Sequence, residues 1–372
     1  MAKTSYVPSG ANIKVIGLGG AGCNAITRMV REQIRGVEFI GANTDAQALA
    51  ITEAAVRIQL GERITRGLGA GGDHVLGQKA AEESLDEIRQ AVAGADMAFI
   101  TAGMGGGTGT GSAPIVAQIV KQTGALTIAV VTKPFSFEGV HRSEVAEQGI
   151  MDLVDKVDTL IIIPNDRLFD LCDQKVGVDS AFRLADEILC HGVQAIAEVV
   201  TVPGLINLDF ADIRTVMKDA GPAWMSIGHG SGQNRARDAA KEALVSPLLD
   251  VSMEGAKGVL FNVAGGSSLS LFEVNEAAEI IRQAVDPEAN VIFGVVLDPN
   301  TGNDVRLTLI ATDFATKDGL AGAAWEKEMM KLLKGVKSEE ELGIPSFLRY
   351  RRVLHGQRSH LANLERSQIR SI

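Results

Sequence analysis

The 372-residue chain is poor in cysteine, in aromatic residues and in long apolar runs. Its three cysteines, Cys23, Cys172 and Cys190, are odd in number and widely spaced, which argues against a disulfide framework and a cysteine-based metal site. No stretch reaches the roughly 18 to 20 uninterrupted apolar residues that a membrane-spanning helix needs, and the first residues form no apolar signal segment. We therefore expect a soluble, cytoplasmic protein without a metal held by side chains.

Basic residues are scarce in most of the chain but not at its end. The formal net charge is −10; residues 343–372 hold six arginines against one glutamate, or +5, so residues 1–342 carry −15. An acidic body repels phosphate backbones, so we expect no nucleic-acid binding by it. With 46% hydrophobic residues, the chain is long enough for about two globular domains.

The most unusual stretch is a loop with almost no side chains. Residues 103–111 contain six glycines, between an apolar run typical of a buried strand and a helix that we expect to begin near Ser112. A strand, a glycine loop and a helix N-terminus together form an anion site. Because the loop lacks lysine and arginine, a bound polyphosphate would need backbone donors, the hydroxyls of Thr108 and Thr110, and a magnesium ion that keeps most of its waters. A glycine-rich connection beside a tight helix-sheet contact is the alternative.

Two further glycine loops precede this one. Residues 17–22 match the dinucleotide pattern Gly-x-Gly-x-x-Gly, which alone is compatible with a nicotinamide-dependent dehydrogenase. Residues 67–72 contain four glycines, and the strand at 37–45 ends in Asn-Thr-Asp. Several phosphate-type loops in one sheet favour a single nucleotide held from both sides.

Strands and helices alternate through about residue 170, which predicts an α/β fold with a doubly wound parallel sheet. A long helix is expected over 173–201 and stops at Pro203-Gly204. A second, smaller αβ unit follows, with strands predicted at 258–266, 290–298 and 305–314.

Seven motifs occur in an order and spacing that resemble the FtsZ family of the tubulin superfamily. They are GLGGAGCNA, ANTDAQAL, GLGAGGD, GGGTGTG, VTKPFSFEG, IIIPNDRLF and GLINLDFADIRTVM, spread over about residues 11–314. The resemblance implies an N-terminal arm (1–10), a GTP-binding domain (11–172), a central helix (173–203) and a smaller C-terminal domain with a catalytic loop (204–316). It also implies GTP and GDP as ligands.

The resemblance also assigns roles to individual residues. The residues at the positions of the family's phosphate loops are Gly19, Gly20, Gly22, Asn24, Gly71, Gly72, Gly106, Gly107, Thr108, Gly109 and Thr110. Glu138 and Arg142 match ribose and phosphate contacts, and Asn24, Phe182 and Asp186 match positions that hold guanine. A carboxylate accepts the adjacent N1–H and N2 amine of guanine, an edge that adenine lacks. Phe182, one turn before Asp186, either stacks on the base or packs in the core.

The residues Asn207, Asp209 and Asp212 match a catalytic loop that one subunit inserts into the GTP site of its neighbour. Local spacing offers another interpretation, in which Asp209 caps a helix and Asp212 completes a capping box. If the two sites lie at opposite ends of the central helix, a monomer binds GTP but hydrolyses it poorly. The resemblance then implies head-to-tail filaments that form the bacterial division ring at the inner face of the membrane. A regulatory member that binds nucleotide without hydrolysis is the other class; the intact aspartates argue against it.

The end of the chain departs from the family pattern. The connection at 317–342 is short and has apolar residues at helical spacing. Residues 343–352 resemble the family's partner-binding peptide for membrane-tethering division proteins, with Ile344, Pro345, Phe347, Leu348 and Arg349. The basic tail, 353–372, either makes a weak contact with an anionic surface or stays solvated.

Overall fold

The computed structural model describes residues 11–171, 177–201, 209–246, 253, 255–297 and 301–314. Outside these residues lie the predicted arm (1–10), Asn207, Cys172 and all of the predicted connection, peptide and basic tail, including Ile344, Pro345, Phe347, Leu348 and Arg349.

The N-terminal part alternates strands and helices. Its strands are β1 (Ile13–Leu18), β2 (Val37–Asn43), β3 (Val56–Gln59), β4 (Met97–Gly103), β5 (Leu126–Lys133) and β6 (Thr159–Pro164). Its helices are α1 (Gly19–Arg31), α2 (Ala46–Ala50), α3 (Glu62–Thr65), α4 (His74–Glu83), α5 (Leu85–Val92), α6 (Gly107–Gln122) and α7 (Val140–Val154). Short 3₁₀ turns, Ser136–Glu138 and Asn165–Leu171, follow β5 and β6.

The C-terminal part begins with a long helix. Its elements in chain order are α8 (Val178–Thr201), α9 (Phe210–Met217), β7 (Gly221–Gly230), α10 (Arg235–Leu244), β8 (Ala256–Gly265), α11 (Leu271–Ala284), β9 (Asn290–Leu297) and β10 (Val305–Phe314).

The strands form one sheet in the order β3-β2-β1-β4-β5-β6-β7-β10-β8-β9. From β3 to β7 all neighbours are parallel, and the chain moves outward in opposite directions from β1 and β4. With right-handed crossovers, α1 and α6 cover opposite faces. The predicted doubly wound fold is confirmed, and the change of direction between β1 and β4 is where such sheets bind ligands.

The strands predicted in the second half are present, but one strand was missed. β7 pairs parallel to β6 and antiparallel to β10, so the second half continues the first sheet. Its sequence, GPAWMSIGHG, contains glycines that weaken a strand signal. A Cβ on Gly228 would lie 2.0 Å from the Ala239 carbonyl oxygen, so the missing side chains let α10 pack against the strand backbone.

Helix α8 crosses the molecule from one edge of the sheet to the other. Near its start, Phe182 contacts Phe135, which follows β5. Near its end, the Thr201 hydroxyl donates to the Arg35 carbonyl at 3.0 Å, just before β2. Its 24 residues span about 36 Å at the helical rise.

Candidate functional site

Two helix N-termini meet where β1 and β4 lie side by side. Helices α1 and α6 begin directly after these strands, and neither has a side-chain hydrogen bond at its N-cap. A Cβ on Gly19 would lie only 2.9 Å from the Gly109 backbone nitrogen. The first-turn N–H groups of both helices have no acceptor within their own helix. They therefore present donors and two positive dipole ends to one region.

The region in front of these N-termini is open. A Cβ on Gly20, Gly71, Gly72 or Gly106 would meet no atom within 4 Å. The loop that carries Gly71 and Gly72 is held by the Gly69 N–H, which donates to the Thr44 carbonyl at 3.3 Å. These glycines leave room for a ligand to reach the backbone. We call residues 19–22, 71–72 and 106–110 the cradle; they include the predicted Gly22, Gly107, Thr108, Gly109 and Thr110.

The two threonines of the cradle have different surroundings. Thr108 is half-buried, and its Oγ1 lies 2.6 Å from Oγ1 of Thr44. Thr110 is buried, and its hydroxyl accepts the Gly105 N–H at 2.8 Å, so this side chain shapes the loop. Helix α6 starts at Gly107, which makes the expected start near Ser112 wrong. The Ser112 hydroxyl instead donates to the Thr108 carbonyl at 2.6 Å, because glycine at the N-cap lets the helix begin earlier.

Glu138 and Arg142 form an ion pair beside the cradle. Nη1 of Arg142 lies 2.6 Å from Oε2 of Glu138, while Oε1 of Glu138 accepts the Phe135 N–H at 2.8 Å. A Cβ on Gly105 would lie 2.7 Å from the Arg142 carbonyl oxygen, which puts the start of α7 against the glycine loop. The residue that carries this exposed guanidinium therefore lies beside a loop that has no lysine or arginine of its own.

A cluster of phenylalanines lies at the same edge of the sheet. Phe135 is buried, and its ring centroid lies 5.0 Å from Phe137, 5.2 Å from Phe169 and 5.4 Å from Phe182. Phe182 packs edge-on against Phe135 yet stays 40% exposed. The side chain therefore contributes to packing and also offers an open ring surface.

Asp186 lies one turn beyond Phe182 on α8. Burial raises the pKa of its carboxyl group to about 7, although the nearby Arg28 guanidinium lowers it. Arg28 lies one turn beyond the exposed Asn24 on α1, and its Nη2 contacts Oε2 of Glu187 at 3.1 Å. The contact between α1 and α8 thus brings the predicted guanine-binding residues to one side of the cradle.

Asn165 was not singled out in the sequence. It follows β6 at the same edge and is 5% exposed, and its Oδ1 has no hydrogen-bond partner among the described residues. Buried amide oxygens normally have a partner, so a ligand hydroxyl or amine would satisfy this one. The motif IIIPND carried the signal, but an asparagine after a strand is also a common turn residue.

The predicted catalytic residues Asp209 and Asp212 lie at the start of α9. Both side chains are exposed, and Asp209 makes no side-chain capping bond; only its carbonyl accepts the Asp212 N–H, at 3.0 Å. Asp209 is the N-cap residue of α9, as its spacing suggested, but the predicted side-chain capping and capping box are wrong, because neither carboxylate bonds the first turn.

Helix α9 lies at the opposite edge of the sheet from the cradle. The Arg214 guanidinium donates to the Gly124 carbonyl at 3.5 Å, just before β5, and the Met217 carbonyl accepts the Thr159 hydroxyl at the first residue of β6. The glycine loops instead follow the carboxyl ends of the strands. β5 alone has eight residues, or about 26 Å, so one chain cannot bring Asp212 to its own cradle.

The described residues include neither a metal-binding cluster nor a membrane-spanning helix. They contain no group of three or more His, Cys, Asp or Glu arranged to hold a metal ion. Among the helices that the structure describes, none has the length and apolar character that crossing a bilayer requires.

Comparisons with known proteins agree with this geometry. Residues 12–173 match the family model "Tubulin/FtsZ family, GTPase domain", and residues 221–315 match "FtsZ family, C-terminal domain". An empty FtsZ dimer from M. jannaschii is 47% identical, with a TM-score of 0.79, over 81% of this chain and 88% of that chain. A point mutant of M. jannaschii FtsZ is 46% identical, with a TM-score of 0.80, over 82% and 91% of the two chains.

A more distant structure shares the fold. CetZ2 from Haloferax volcanii, solved as a GTPγS-bound protofilament, is 18% identical, with a TM-score of 0.70, over 87% of this chain and 99% of that chain.

The dehydrogenase interpretation of residues 17–22 is wrong, because the loop belongs to a GTPase domain. With both family domains matched and nearly half of the aligned residues identical to FtsZ, this chain belongs to the Tubulin/FtsZ family, as an FtsZ-type GTPase.

Proposed function

We propose that this GTPase assembles head to tail into filaments of the bacterial division ring, and that each GTP site is completed by the neighbouring subunit. One observation carries the proposal. The exposed carboxylates of Asp209 and Asp212 lie at the edge of the sheet opposite the cradle. Stacking copies in one direction joins these two edges, and a contact of this kind repeats without closing.

The chemistry assigned to the shared site is phosphoryl transfer to water. Asp209 and Asp212, with Asn207 before them in the chain, orient and polarise a water molecule for in-line attack on the terminal phosphorus. The cradle holds the phosphates through backbone N–H groups, and the charge that develops on them is stabilised by these donors. Hydrolysis then weakens the contact between subunits that completed the site, and this weakening gives subunit turnover in the filament.

The surface around the cradle supports an interface between copies. Leu68 is 83% exposed, Phe137 57% and Val140 49%, and all three flank the glycine loops or the start of α7. Apolar side chains grouped at one face commonly mark a protein contact. The similar M. jannaschii FtsZ was solved as a dimer, and the distant CetZ2 as a protofilament; by extension we propose self-association for this chain.

The ligands are GTP and GDP, with Mg²⁺. Magnesium retains several waters and is usually held through phosphate oxygens and few protein groups. We propose that it is bound in this way here, where it offsets the phosphate charge in a loop without lysine or arginine.

Two proposals rest on the sequence alone. Residues 343–352 bind membrane-tethering division proteins, which would bring the cytoplasmic filament to the division site. The basic tail, 353–372, makes a weak electrostatic contact with an anionic surface, and raising the salt concentration abolishes that contact. A contact that withstands high salt would contradict it.

The first experiment measures GTP hydrolysis per subunit against protein concentration, with magnesium. We expect a threshold concentration for activity and, in Asp212→Ala, a loss of at least about 100-fold with GTP binding unchanged. The matched control is Asp238→Ala, which removes another exposed aspartate from a first helical turn and should retain the rate.

A mixing experiment tests the shared site directly. Asp212→Ala has an intact cradle, whereas Gly106→Ala retains Asp212 but should leave its own cradle mostly empty when GTP is kept near the wild-type dissociation constant. We expect each variant to be inactive alone and the mixture to regain part of the rate, since one supplies the cradle and the other the aspartate. A mixture as inactive as its components, together with a wild-type rate independent of concentration, would refute the shared site.

A further inference from the structure

Thr44 lies directly behind the cradle and has no assigned role. It follows β2, is fully buried, and its Oγ1 lies 2.6 Å from Oγ1 of Thr108. This distance is at the short end for a hydrogen bond between hydroxyl groups. Thr108 belongs to the first turn of α6, so a buried side chain from one strand holds a cradle side chain from another.

The backbone of Thr44 contacts a second part of the cradle. Its carbonyl accepts the Gly69 N–H at 3.3 Å. Gly69 lies two residues before Gly71, in the loop that carries two of the predicted phosphate-loop glycines. Thr44 is thus bonded to the first turn of α6 through its side chain and to the 67–72 loop through its main chain.

The direction of the hydroxyl pair follows from the ligand. A phosphate oxygen only accepts hydrogen bonds, so a Thr108 hydroxyl that contacts the phosphate donates its single proton to it. The short bond between the threonines then requires Thr44 as donor and Thr108 as acceptor. This arrangement orients the Thr108 proton toward the open side of the cradle.

We propose that Thr44 is a positioning residue for GTP binding: its hydroxyl fixes the rotamer and donor direction of Thr108, while its main-chain carbonyl holds the 67–72 loop. The inference rests on the assignment of the cradle to the phosphates of GTP. It does not depend on assembly or on the catalytic aspartates. Thr44 itself touches no substrate atom and acts through Thr108.

The test is a double-mutant cycle on nucleotide affinity. Thr44→Val removes the hydroxyl and keeps the branched shape, Thr44→Ser keeps the hydroxyl, and both are also made in Thr108→Val. GTP dissociation constants are measured by competition with a fluorescent guanine nucleotide, below the assembly threshold. Relative to wild type, we expect Thr44→Val to weaken GTP binding about 5- to 10-fold and Thr44→Ser to change it by less than about 2-fold. In the Thr108→Val background, Thr44→Val should weaken binding by less than a further factor of about 2.

A variant at a distant threonine is the control for a general loss of packing. Thr127→Val removes a buried hydroxyl at the other edge of the sheet, where Oγ1 donates to the Ala125 carbonyl at 3.1 Å; it should bind GTP like wild type. If Thr44→Val does not fold, Thr44→Ala takes its place, because it removes the hydroxyl without a buried methyl in its position.

Three outcomes would overturn the proposal. The first is a wild-type affinity for GTP in Thr44→Val or Thr44→Ala. The second is an equal loss of GTP affinity from Thr44→Val in the wild-type and Thr108→Val backgrounds. The third is a Thr44→Ser variant that binds GTP as weakly as Thr44→Val. The proposed function fails on different readouts, namely a concentration-independent hydrolysis rate or an active Asp212→Ala. The two hypotheses can therefore fail separately.

Discussion

Gly19 and Gly106 lie in the same cradle but have opposite surroundings. Gly19 has a φ of +67°, and a Cβ there would lie 2.9 Å from the Gly109 nitrogen. Gly106 has a φ of −92° and no atom within 4 Å of an added Cβ. The first glycine is required by the fold itself, whereas the second is required only if a ligand lies against the backbone.

This difference predicts separable effects of alanine. Gly106→Ala should leave the free energy of unfolding within about 1 kcal/mol of wild type, while GTP affinity falls at least about 10-fold, because the methyl group occupies ligand space. Gly19→Ala should cost about 2 kcal/mol or more, from the left-handed backbone and the contact with Gly109. Thermal unfolding without nucleotide, together with GTP titration, distinguishes the two. Normal GTP binding by Gly106→Ala would contradict the position of the phosphates.

Asp186 predicts a pH-dependent affinity for GTP. Its pKa is raised to about 7, mainly by burial, and the predicted pairing with the N1–H and amine of guanine needs the ionised carboxylate. The binding-competent fraction falls about 10-fold between about pH 8 and pH 6, and apparent affinity should fall with it. Asp186→Asn should bind GTP weakly and show no such pH dependence in that range. A wild-type affinity that is flat across this range would exclude a role for the ionised group.

The same group has the opposite effect on the stability of the nucleotide-free protein. A raised pKa in the folded state means that the neutral carboxyl group favours folding. This contribution is complete below the ordinary value of 3.8 and is lost as pH rises through about 7. Relative to Asp186→Asn, wild type should lose up to about 1.4 kcal/mol per pH unit within this window. Unfolding curves of both proteins across the window measure the difference.

At the scale of elements, Arg28 joins α1 to α8. Its guanidinium contacts Oε1 of Glu32 at 3.0 Å and Oε2 of Glu187 at 3.1 Å, and its charge lowers the pKa of Asp186. Arg28→Met should therefore raise the pH at which GTP affinity is half-maximal, because the carboxyl loses its nearest cation. Arg28→Lys should largely restore the wild-type midpoint. An unchanged midpoint in Arg28→Met would show that burial alone governs Asp186.

Individual elements differ in how well local sequence predicted them. The glycine loops and strands such as β10 were recognised because apolar runs and turn residues are local signals. The start of α6 was missed, since Gly107 is a poor helix residue whose backbone packs against α4; a Cβ on Gly77 of α4 would lie 2.1 Å from the Gly107 carbonyl oxygen. β7 was missed for a related reason: its glycines weaken the strand signal, and only the close packing of α10 on the strand explains them.

At the scale of the whole molecule, the cradle and α9 both lie within the compact unit Met1–Ala315. A chain that ends after residue 315 should therefore hydrolyse GTP within about 2-fold of the full-length rate, with a similar threshold concentration. It should lose binding to membrane-tethering partners. The comparison needs hydrolysis assays of both chains over the same concentrations. A rate reduced by more than about 10-fold would mean that residues 316–372 contribute to the site.

The sequence by itself determined the family and the doubly wound fold, because seven motifs in a fixed order are local and specific. It left open whether Phe182 packs or faces a ligand, and whether Asp209 caps α9. The first depends on Phe135, a neighbour that is distant in the chain. The second depends on the orientation of the Asp209 side chain, which makes no capping bond. Only the tertiary structure put the cradle and Asp212 at opposite edges of one sheet, because parallel strands collect their loops at one edge and α9 packs at the other. It likewise brought Thr44 to Thr108, since strand order, not chain order, decides which loops touch.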